Sequence, residues 1–163
     1  MRLPLSLFSR IAPAMTYELI RKQISGSVPF ANHNGVEVTK IEKGHGVARL
    51  TFRPEGLNHI GTQHAGALFA VGEAASGAAM AGAFAPILLD IRPVAADATI
   101  KYLNVAKGAV VADARIDGNA DTILNAVKTE GKAKFRVAVA LSGEDDSKIA
   151  EMSVDWHVSM KRH

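Results

Sequence analysis

One carboxylate stands out in the sequence because almost nothing around it can ionise. Glu73 is the single ionisable side chain in residues 67–84, a segment dominated by alanine and glycine. A helix over this segment would be apolar on nearly every face, and such helices are buried. A carboxylate in an apolar interior is costly unless it is paired or protonated, and such perturbed groups cluster at functional sites. Glu73 is therefore the leading catalytic candidate, as a general base or a nucleophile.

Two structural explanations of this segment stay open beside the catalytic one. Glu73 could turn towards a crevice or pair with a buried arginine, since structural ion pairs also bury acids. The segment also approaches the roughly 20 residues that span a bilayer. However, it is rich in alanine and glycine, carries an acid near its middle and lacks a basic flank. The small residues favour a helix around which strands wrap closely.

The composition narrows the class of function. The 163 residues suit one domain with a sizeable core. There is no cysteine, which removes disulfides and thiolate chemistry and leaves the cytoplasm as the expected compartment. The net charge of +3 could help to hold an anionic ligand, but the basic residues are scattered and aromatic residues make up only 6%. Nucleic-acid binding is therefore not expected. The apolar run within residues 1–10 is too short for a signal peptide.

Two further helices are indicated by residue spacing. Residues 11–24 predict a short amphipathic helix near the N-terminus. Its apolar residues are Ile11, Met15, Leu19 and Ile20. Residues 121–130 fit a second short helix, capped by Asn119 or Asp121 and ended by Gly131. A ragged hairpin loop is the alternative there.

Alternation of apolar and polar residues predicts six strands. They cover residues 36–41, 47–52, 93–105, 109–116, 133–141 and 150–158. The first two are joined by a hairpin turn at 43–46. Short turns rather than helical crossovers indicate one antiparallel sheet, and its natural partner is the buried helix. The predicted fold class is therefore α+β, with a sheet wrapped around a long central helix in a single domain, 1–163, whose core spans about 29–158.

The central loop and helix resemble those of the hotdog-fold acyl-CoA thioesterases. The resemblance is carried by Asn58-His59-Ile60-Gly61-Thr62-Gln63-His64-Ala65-Gly66-Ala67-Leu68-Phe69, then Glu73, with a family-like entry at Pro29-Phe30-Ala31. It covers roughly residues 29–158 and looks most like the phenylacetyl-CoA and 4-hydroxybenzoyl-CoA thioesterase group. It implies a hotdog fold and hydrolysis of an acyl thioester, of coenzyme A or of an acyl-carrier protein.

The resemblance implies a role for each catalytic position. In that family an acid one to three turns into the central helix attacks the thioester carbonyl or activates a water, and Glu73 matches it. Asn58 matches the residue that orients the reacting groups. His64-Ala65-Gly66 replaces His-Gly-Gly, so the N–H groups of Ala65 and Gly66 are expected to stabilise the oxyanion, as suits a helix start. His64 is a further catalytic candidate.

Substrate-binding positions are expected in the same motif, in the helix and on one basic strand. The candidates are Gly61, Gln63, Ser76, Lys132, Lys134 and Arg136. Ser76 stands three residues beyond the acid, where relatives commonly have Ser or Thr one turn on. The three basic residues alternate along a predicted strand and could meet the phosphates of coenzyme A, although a solvated strand face explains them about as well.

No metal or redox cofactor is implied, because His59 and His64 lack the spacing of a helical metal-binding pair. Coenzyme A enters as part of the substrate. A homo-oligomer, a dimer or dimer of dimers, is expected because the small apolar helix surface and the edge strands need a partner. Two alternatives remain: a non-catalytic acyl-CoA or lipid-binding protein on the same fold, and a hydroxyacyl dehydratase that would use His64 with an acid.

Overall fold

Six antiparallel strands and four α-helices make up most of the chain that the computed structural model describes, which is residues 13–162. In chain order these are α1 (Pro13–Ser27), α2 (Pro29–His33), β1 (Val36–Glu42), β2 (His45–Leu50), α3 (Ala65–Ala83), β3 (Ile91–Tyr102), β4 (Val110–Ile116), α4 (Ala120–Glu130), β5 (Lys132–Gly143) and β6 (Lys148–Met160), with 3₁₀ turns at Pro54–Gly56 and Ala85–Asp90. The expectations for residues 1–10 and for Ile11 lie outside the described residues.

The strands form one sheet in the order β1-β2-β4-β5-β6-β3, and every neighbouring pair is antiparallel. Alternate residues face inward, as on β5, where Phe135, Val137 and Val139 are buried and the residues between them are exposed. The inner face lies against α3, which packs mainly on β1, β2 and β4. The predicted α+β arrangement of a sheet around a long central helix is confirmed.

Helix α3 lies so close to the sheet that backbone meets backbone. A Cβ atom on Gly46 of β2 would collide with the backbone of Ala75 and Ala79, and one on Gly82 would collide with the carbonyl oxygen of Glu42. Alanine, the best helix former, offsets the cost of the four glycines in this 19-residue helix. No helix within residues 13–162 is long and apolar enough to cross a membrane.

Glycine and capping residues explain the turn between β1 and β2 and the two ends of α4. The turn between β1 and β2 has Gly44 at φ 69°, a left-handed conformation that suits glycine. Residues 121–130 belong to helix α4 and not to a hairpin loop. Asn119 caps this helix by accepting hydrogen bonds from the N–H groups of Asp121 and Thr122 at 2.9 and 3.1 Å. Gly131 ends it at φ 78°.

Helix α1 covers the edge strand β1 and only partly enters the core. The predicted apolar residues Met15 and Leu19 are 57% and 55% exposed, whereas Ile20 is buried. Arg21 donates from Nη1 to the carbonyl oxygen of Val38 at 3.2 Å. This contact satisfies a polar group on the edge of the sheet that would otherwise remain available for pairing.

The close contact between α3 and the β1–β2 hairpin gives a stability prediction. A Gly→Ala change inside a helix usually stabilises it by up to about 1 kcal/mol. We expect Gly82→Ala to destabilise the protein instead, by about 1–3 kcal/mol, because the methyl group overpacks against Glu42. Gly77→Ala in the same helix is the control, because its Cβ would lie 3.7 Å from the Trp156 ring, an ordinary contact. Urea unfolding of both variants measures the difference, and equal effects would contradict the backbone contact.

Candidate active site

Six of the 19 residues of α3 are not fully buried, and most of these six lie on one side of the helix. Four recur at four-residue intervals and form a stripe, here called the open face: Ala65, Phe69, Glu73 and Gly77. Tyr102 of β3 donates from its hydroxyl to the carbonyl oxygen of Ala65 at 3.1 Å. Trp156 of β6 lies beside Gly77. The open face therefore looks towards β6 and the edge strand β3.

Glu73 sits in the middle of the open face without a balancing positive charge. Its side chain is half-buried, and burial raises the pKa of its carboxyl above the ordinary range of glutamate. Among the described residues no lysine, arginine or histidine forms an ion pair with it, so a pair with a buried arginine is excluded there. A carboxylate with a raised pKa is a better base near neutral pH, as proton transfer in catalysis requires.

An apolar cavity of about 760 Å³ opens beside Glu73. Its walls come from α1, α2, β1, the C-terminal half of α3 and the segment between α3 and β3. Glu73 is the one ionisable side chain that lines it. The sequence did not predict this cavity, because it depends on where α1 packs. The signal that could have found it is the pair Met15 and Leu19, apolar residues that do not enter the core.

At the start of α3, one of the two N–H groups expected to form the oxyanion site already has a hydrogen-bond acceptor. His64 caps the helix, with its Nδ1 accepting a hydrogen bond from the Gly66 N–H at 2.9 Å. The N–H of Gly66 is therefore engaged by the His64 ring in this structure, and its expected role as an oxyanion donor stays a prediction. The N–H of Ala65 has no acceptor in the described part of the chain and lies at an exposed position. His64 acts as a cap here, nine residues before Glu73.

The side chain of Asn58 holds together the loop that precedes α3. Its Oδ1 accepts from the N–H groups of Ile60 and Thr62, both at 3.1 Å. Its Nδ2 donates to Thr62 Oγ1 at 2.8 Å and to the Gln63 carbonyl at 3.4 Å. Every hydrogen-bonding position of the amide is thus used within the loop. The expected orienting role of Asn58 can be exerted only through the loop, and not by direct contact with a reacting group.

Two other loop residues, Gly61 and Gln63, shape the same turn. Gly61 has φ 76°, which favours glycine. Gln63 is 3% exposed, and its Nε2 donates to the carbonyl oxygens of Thr51 and Gly108, both at 3.2 Å. Its Oε1 is buried and has no partner in the described residues. Gln63 ties the loop to the strands beneath it, so its expected contact with substrate does not fit its burial.

Ser76, expected to bind substrate, has a structural role in this chain. It lies on the same side of α3 as Glu73 but is fully buried beneath Trp156 of β6. Its hydroxyl donates to the carbonyl oxygen of Glu73 at 2.7 Å and accepts from Trp156 Nε1 at 3.2 Å. The hydroxyl already donates one hydrogen bond and accepts another, and the Ser76 side chain has no exposed surface that a ligand could contact. Ser76 therefore holds Trp156 against the helix.

The basic strand residues do not meet Glu73 within one chain. Lys132, Lys134 and Arg136 lie on the outer face of β5, whereas α3 packs on the inner face. Arg136 is committed to Asp155 on β6, with Nε and Nη2 donating to the carboxylate at 2.7 and 2.9 Å. The expected phosphate contacts would have to form on the far side of the sheet from the acid. The solvated-face interpretation fits this geometry.

One buried histidine was not singled out from the sequence. His45 is 7% exposed, with Nδ1 lying 3.1 Å from Glu42 and Nε2 lying 2.9 Å from Asp113. Because Gly46 next to it contacts α3, His45 faces the opposite side of the sheet. Within residues 13–162 no group of three or more His, Asp or Glu side chains is arranged to hold a metal ion.

A six-stranded antiparallel sheet wrapped around a long central helix is the arrangement of the hotdog fold. The expected resemblance to the hotdog-fold thioesterases is confirmed at the level of the fold. Residues 16–158 match the family described as a domain of unknown function, DUF4442, and the chain belongs to that family. A search of curated proteins found no match.

Solved structures share this fold. A Pseudomonas aeruginosa protein described as a probable thioesterase is 25% identical, with a TM-score of 0.77 over 88% of this chain and 95% of that one. The PaaI protein of the Escherichia coli phenylacetic acid degradation operon is 18% identical, with a TM-score of 0.65 over 94% of each chain. A Streptococcus pneumoniae hypothetical thioesterase, crystallised with coenzyme A, is 19% identical, with a TM-score of 0.64 over 87% of this chain and 98% of that one.

The buried carboxyl of Glu73 makes stability depend on pH. Since its pKa is raised in the folded state, the folded protein binds more protons than the unfolded chain between the two pKa values. This contribution to stability is therefore lost as pH rises from the ordinary glutamate range through the raised pKa. We expect Glu73→Gln to have little effect in acid and to become stabilising relative to wild type as pH rises through that window. Urea unfolding at a series of pH values tests this, and a difference that does not vary with pH would contradict it.

Proposed function

We propose that the protein hydrolyses an acyl thioester, carried by coenzyme A or an acyl-carrier protein, with Glu73 as the catalytic carboxylate. The observation that carries the proposal is a carboxylate with a raised pKa and no counter-charge, facing an apolar cavity. The description of the Pseudomonas protein as a probable thioesterase and the coenzyme A bound to the Streptococcus protein support this choice of chemistry.

Two routes are open to Glu73. As a general base it takes a proton from a water molecule whose oxygen attacks the thioester carbonyl, and the thiolate leaves and is protonated. As a nucleophile it attacks the carbonyl itself, forms a mixed anhydride as the thiolate leaves, and is freed when water cleaves the anhydride. In both routes negative charge develops on the carbonyl oxygen, and a fixed N–H donor stabilises it.

The available donor in this chain is the N–H of Ala65 at the start of α3. Ala65 and Glu73 are eight residues apart in one helix, which separates them by about 12 Å along the axis. One thioester carbonyl cannot contact both groups of the same helix. We therefore propose that each site combines Glu73 of one chain with the Ala65 N–H of another.

The edges of the sheet indicate how two chains would meet. The edge strand β1 is covered by α1, whereas β3 is a 12-residue edge strand whose side chains are largely exposed, including Val94 at 48%. An open edge of this length is a template for pairing with another chain. A twofold axis beside β3 would also bring two open faces together in opposite directions. This supports a dimer, alone or as half of a dimer of dimers.

A non-catalytic acyl-CoA or lipid-binding protein is the second candidate, and the apolar cavity is the observation that favours it. Such a protein has little use for an uncompensated carboxylate at the cavity, which costs stability. The dehydratase alternative is less well supported, because Nδ1 of His64 is engaged in capping the helix. Release of free thiol from a panel of acyl-CoAs distinguishes hydrolysis from binding.

Two substitutions test the two halves of the site. Glu73→Gln keeps the shape of the side chain and removes the base, so we expect kcat to fall by about a hundredfold or more. Ala65→Pro removes a single N–H at the first position of the helix, where proline is well tolerated. His64 already has ψ 141°, as a residue before proline requires. We expect kcat to fall by about a hundredfold to a thousandfold.

Ala65→Ser keeps the N–H and is the matched control for the proline variant. Circular dichroism and unfolding curves for all three variants show whether the fold is intact. The assignment of Glu73 fails if the well-folded Gln variant turns over at a near-native rate. The assignment of Ala65 fails if the Pro and Ser variants have the same kcat.

A further inference from the structure

The cavity beside Glu73 extends along α3 in one direction. On α3 it follows Glu73, Gly77 and Met80 towards the C-terminal end of the helix. Seven residues separate Glu73 from Met80, which corresponds to about 10 Å along the axis. A carbonyl placed at Glu73 would therefore have on one side of it a space that extends along α3 and is bounded by α3, α1 and β1.

The lining of this space suits a ligand that is neutral and apolar. Glu73 at one end is its one ionisable side chain, and Trp156 is its one aromatic ring. The hydroxyls of Ser25 and Ser27 are already bound to the carbonyl oxygens of Val38 and Ile24, at 3.0 and 3.1 Å. A charged or polyhydroxylated acyl group would lose its hydration there and gain few partners, which is costly.

Large apolar side chains also stand at the rim of the cavity, where they face solvent beside the uncharged polar residues Gln23, Ser27 and Asn32. Leu19 of α1 is 55% exposed, Val28 is 44% exposed and Leu89 is 59% exposed, and all three line the opening. Large apolar side chains grouped around an opening mark a binding site more often than a random surface. Apolar side chains therefore continue from the interior of the cavity to its entrance, which carries no charged side chain.

The volume of the cavity favours an aliphatic chain over an aromatic ring as the acyl group. An apolar cavity of about 150 Å³ is enough to hold benzene. The cavity here, at about 760 Å³, is several times larger. A phenyl or hydroxyphenyl group would leave most of the apolar wall uncovered, and an acetyl group would leave nearly all of it uncovered. A flexible hydrocarbon chain can follow the space along α3.

We infer that the acyl group is a neutral aliphatic chain of medium or greater length, received between α1 and α3, with α1 forming the wall that sets its length. This rests on the proposed thioester hydrolysis for its kinetic test. Each methylene that enters the cavity contributes roughly fourfold to binding of the substrate and transition state. The value of kcat/KM should therefore rise along the series acetyl-, butanoyl-, hexanoyl- and decanoyl-CoA, with phenylacetyl-CoA well below decanoyl-CoA.

Blocking the cavity should remove this preference. In Gly77→Leu the added side chain occupies the cavity one turn beyond Glu73, so the ratio of kcat/KM for decanoyl-CoA over acetyl-CoA should fall by roughly a hundredfold. Gly77→Ala, at the same position, adds one methyl group at an ordinary contact distance and should change the ratio only a few-fold. Val38→Phe, which blocks the cavity from β1, should lower the ratio in the same way and replaces the Leu variant if that variant does not fold.

A binding measurement separates this inference from the proposed function. Calorimetry on Glu73→Gln with decanoyl-CoA and acetyl-CoA should show that decanoyl-CoA binds at least a hundredfold more tightly, and that the blocking variants abolish the difference. If chain length governs binding but no acyl-CoA is hydrolysed by the wild type, the proposed hydrolysis fails and the acyl cavity stands. If acyl-CoAs are hydrolysed but neither binding nor kcat/KM depends on chain length, or phenylacetyl-CoA is preferred, the inference is overturned and hydrolysis stands.

Discussion

The contact on which the rest of the structure depends is that between the backbone of α3 and the backbone of the β1–β2 hairpin. Gly46 and Gly82 have no room for a Cβ atom at this contact. The helix can approach so closely because its residues at this contact, Ala75, Ala78, Ala79 and Gly82, are alanine or glycine. Any large or charged side chain must therefore leave from the opposite side. The position of Glu73 on the open face follows from this constraint.

The same packing explains why the pKa of the Glu73 carboxyl is raised. A helix with few polar side chains, wrapped by a sheet, offers no cation to balance Glu73, and desolvation raises its pKa. Burial of the large apolar core offsets the free-energy cost of holding an unpaired carboxylate. Sites of this kind trade stability for function. A glutamate that merely anchored the fold would be expected to have an arginine beside it, and the described residues supply none.

Local patterns in the sequence were enough to predict the fold and the acid. Alternation located the six strands, and the single charge in an apolar segment identified Glu73. The caps of α4 follow from Asn119 and Gly131, which are the residue types favoured at these positions.

The contacts that were not foreseen concern features that local patterns do not encode. His64 is not a usual capping residue, so the capture of the Gly66 N–H was not foreseen. Ser76 lies on the same side of α3 as Glu73, but Trp156 covers it, and this contact with a strand 80 residues further on is not encoded in the helix sequence. The cavity depends on the long-range placement of α1. Residues 132–136 were recognised as an alternating basic strand, but which face meets the helix is set by the register of β5 with β6.

The central claim is that Glu73 and the Ala65 N–H act together from two different chains. Co-assembly of Glu73→Gln chains with Ala65→Pro chains tests it directly, with native mass spectrometry to confirm that mixed dimers form. In each mixed dimer one site would carry both lesions and the other would be intact. Random mixing produces about one half mixed dimers, so the mixture should regain up to about a quarter of wild-type activity, although each variant alone is inactive. If mixed dimers form and no activity returns, the two groups do not share a site across the interface, and the account is contradicted.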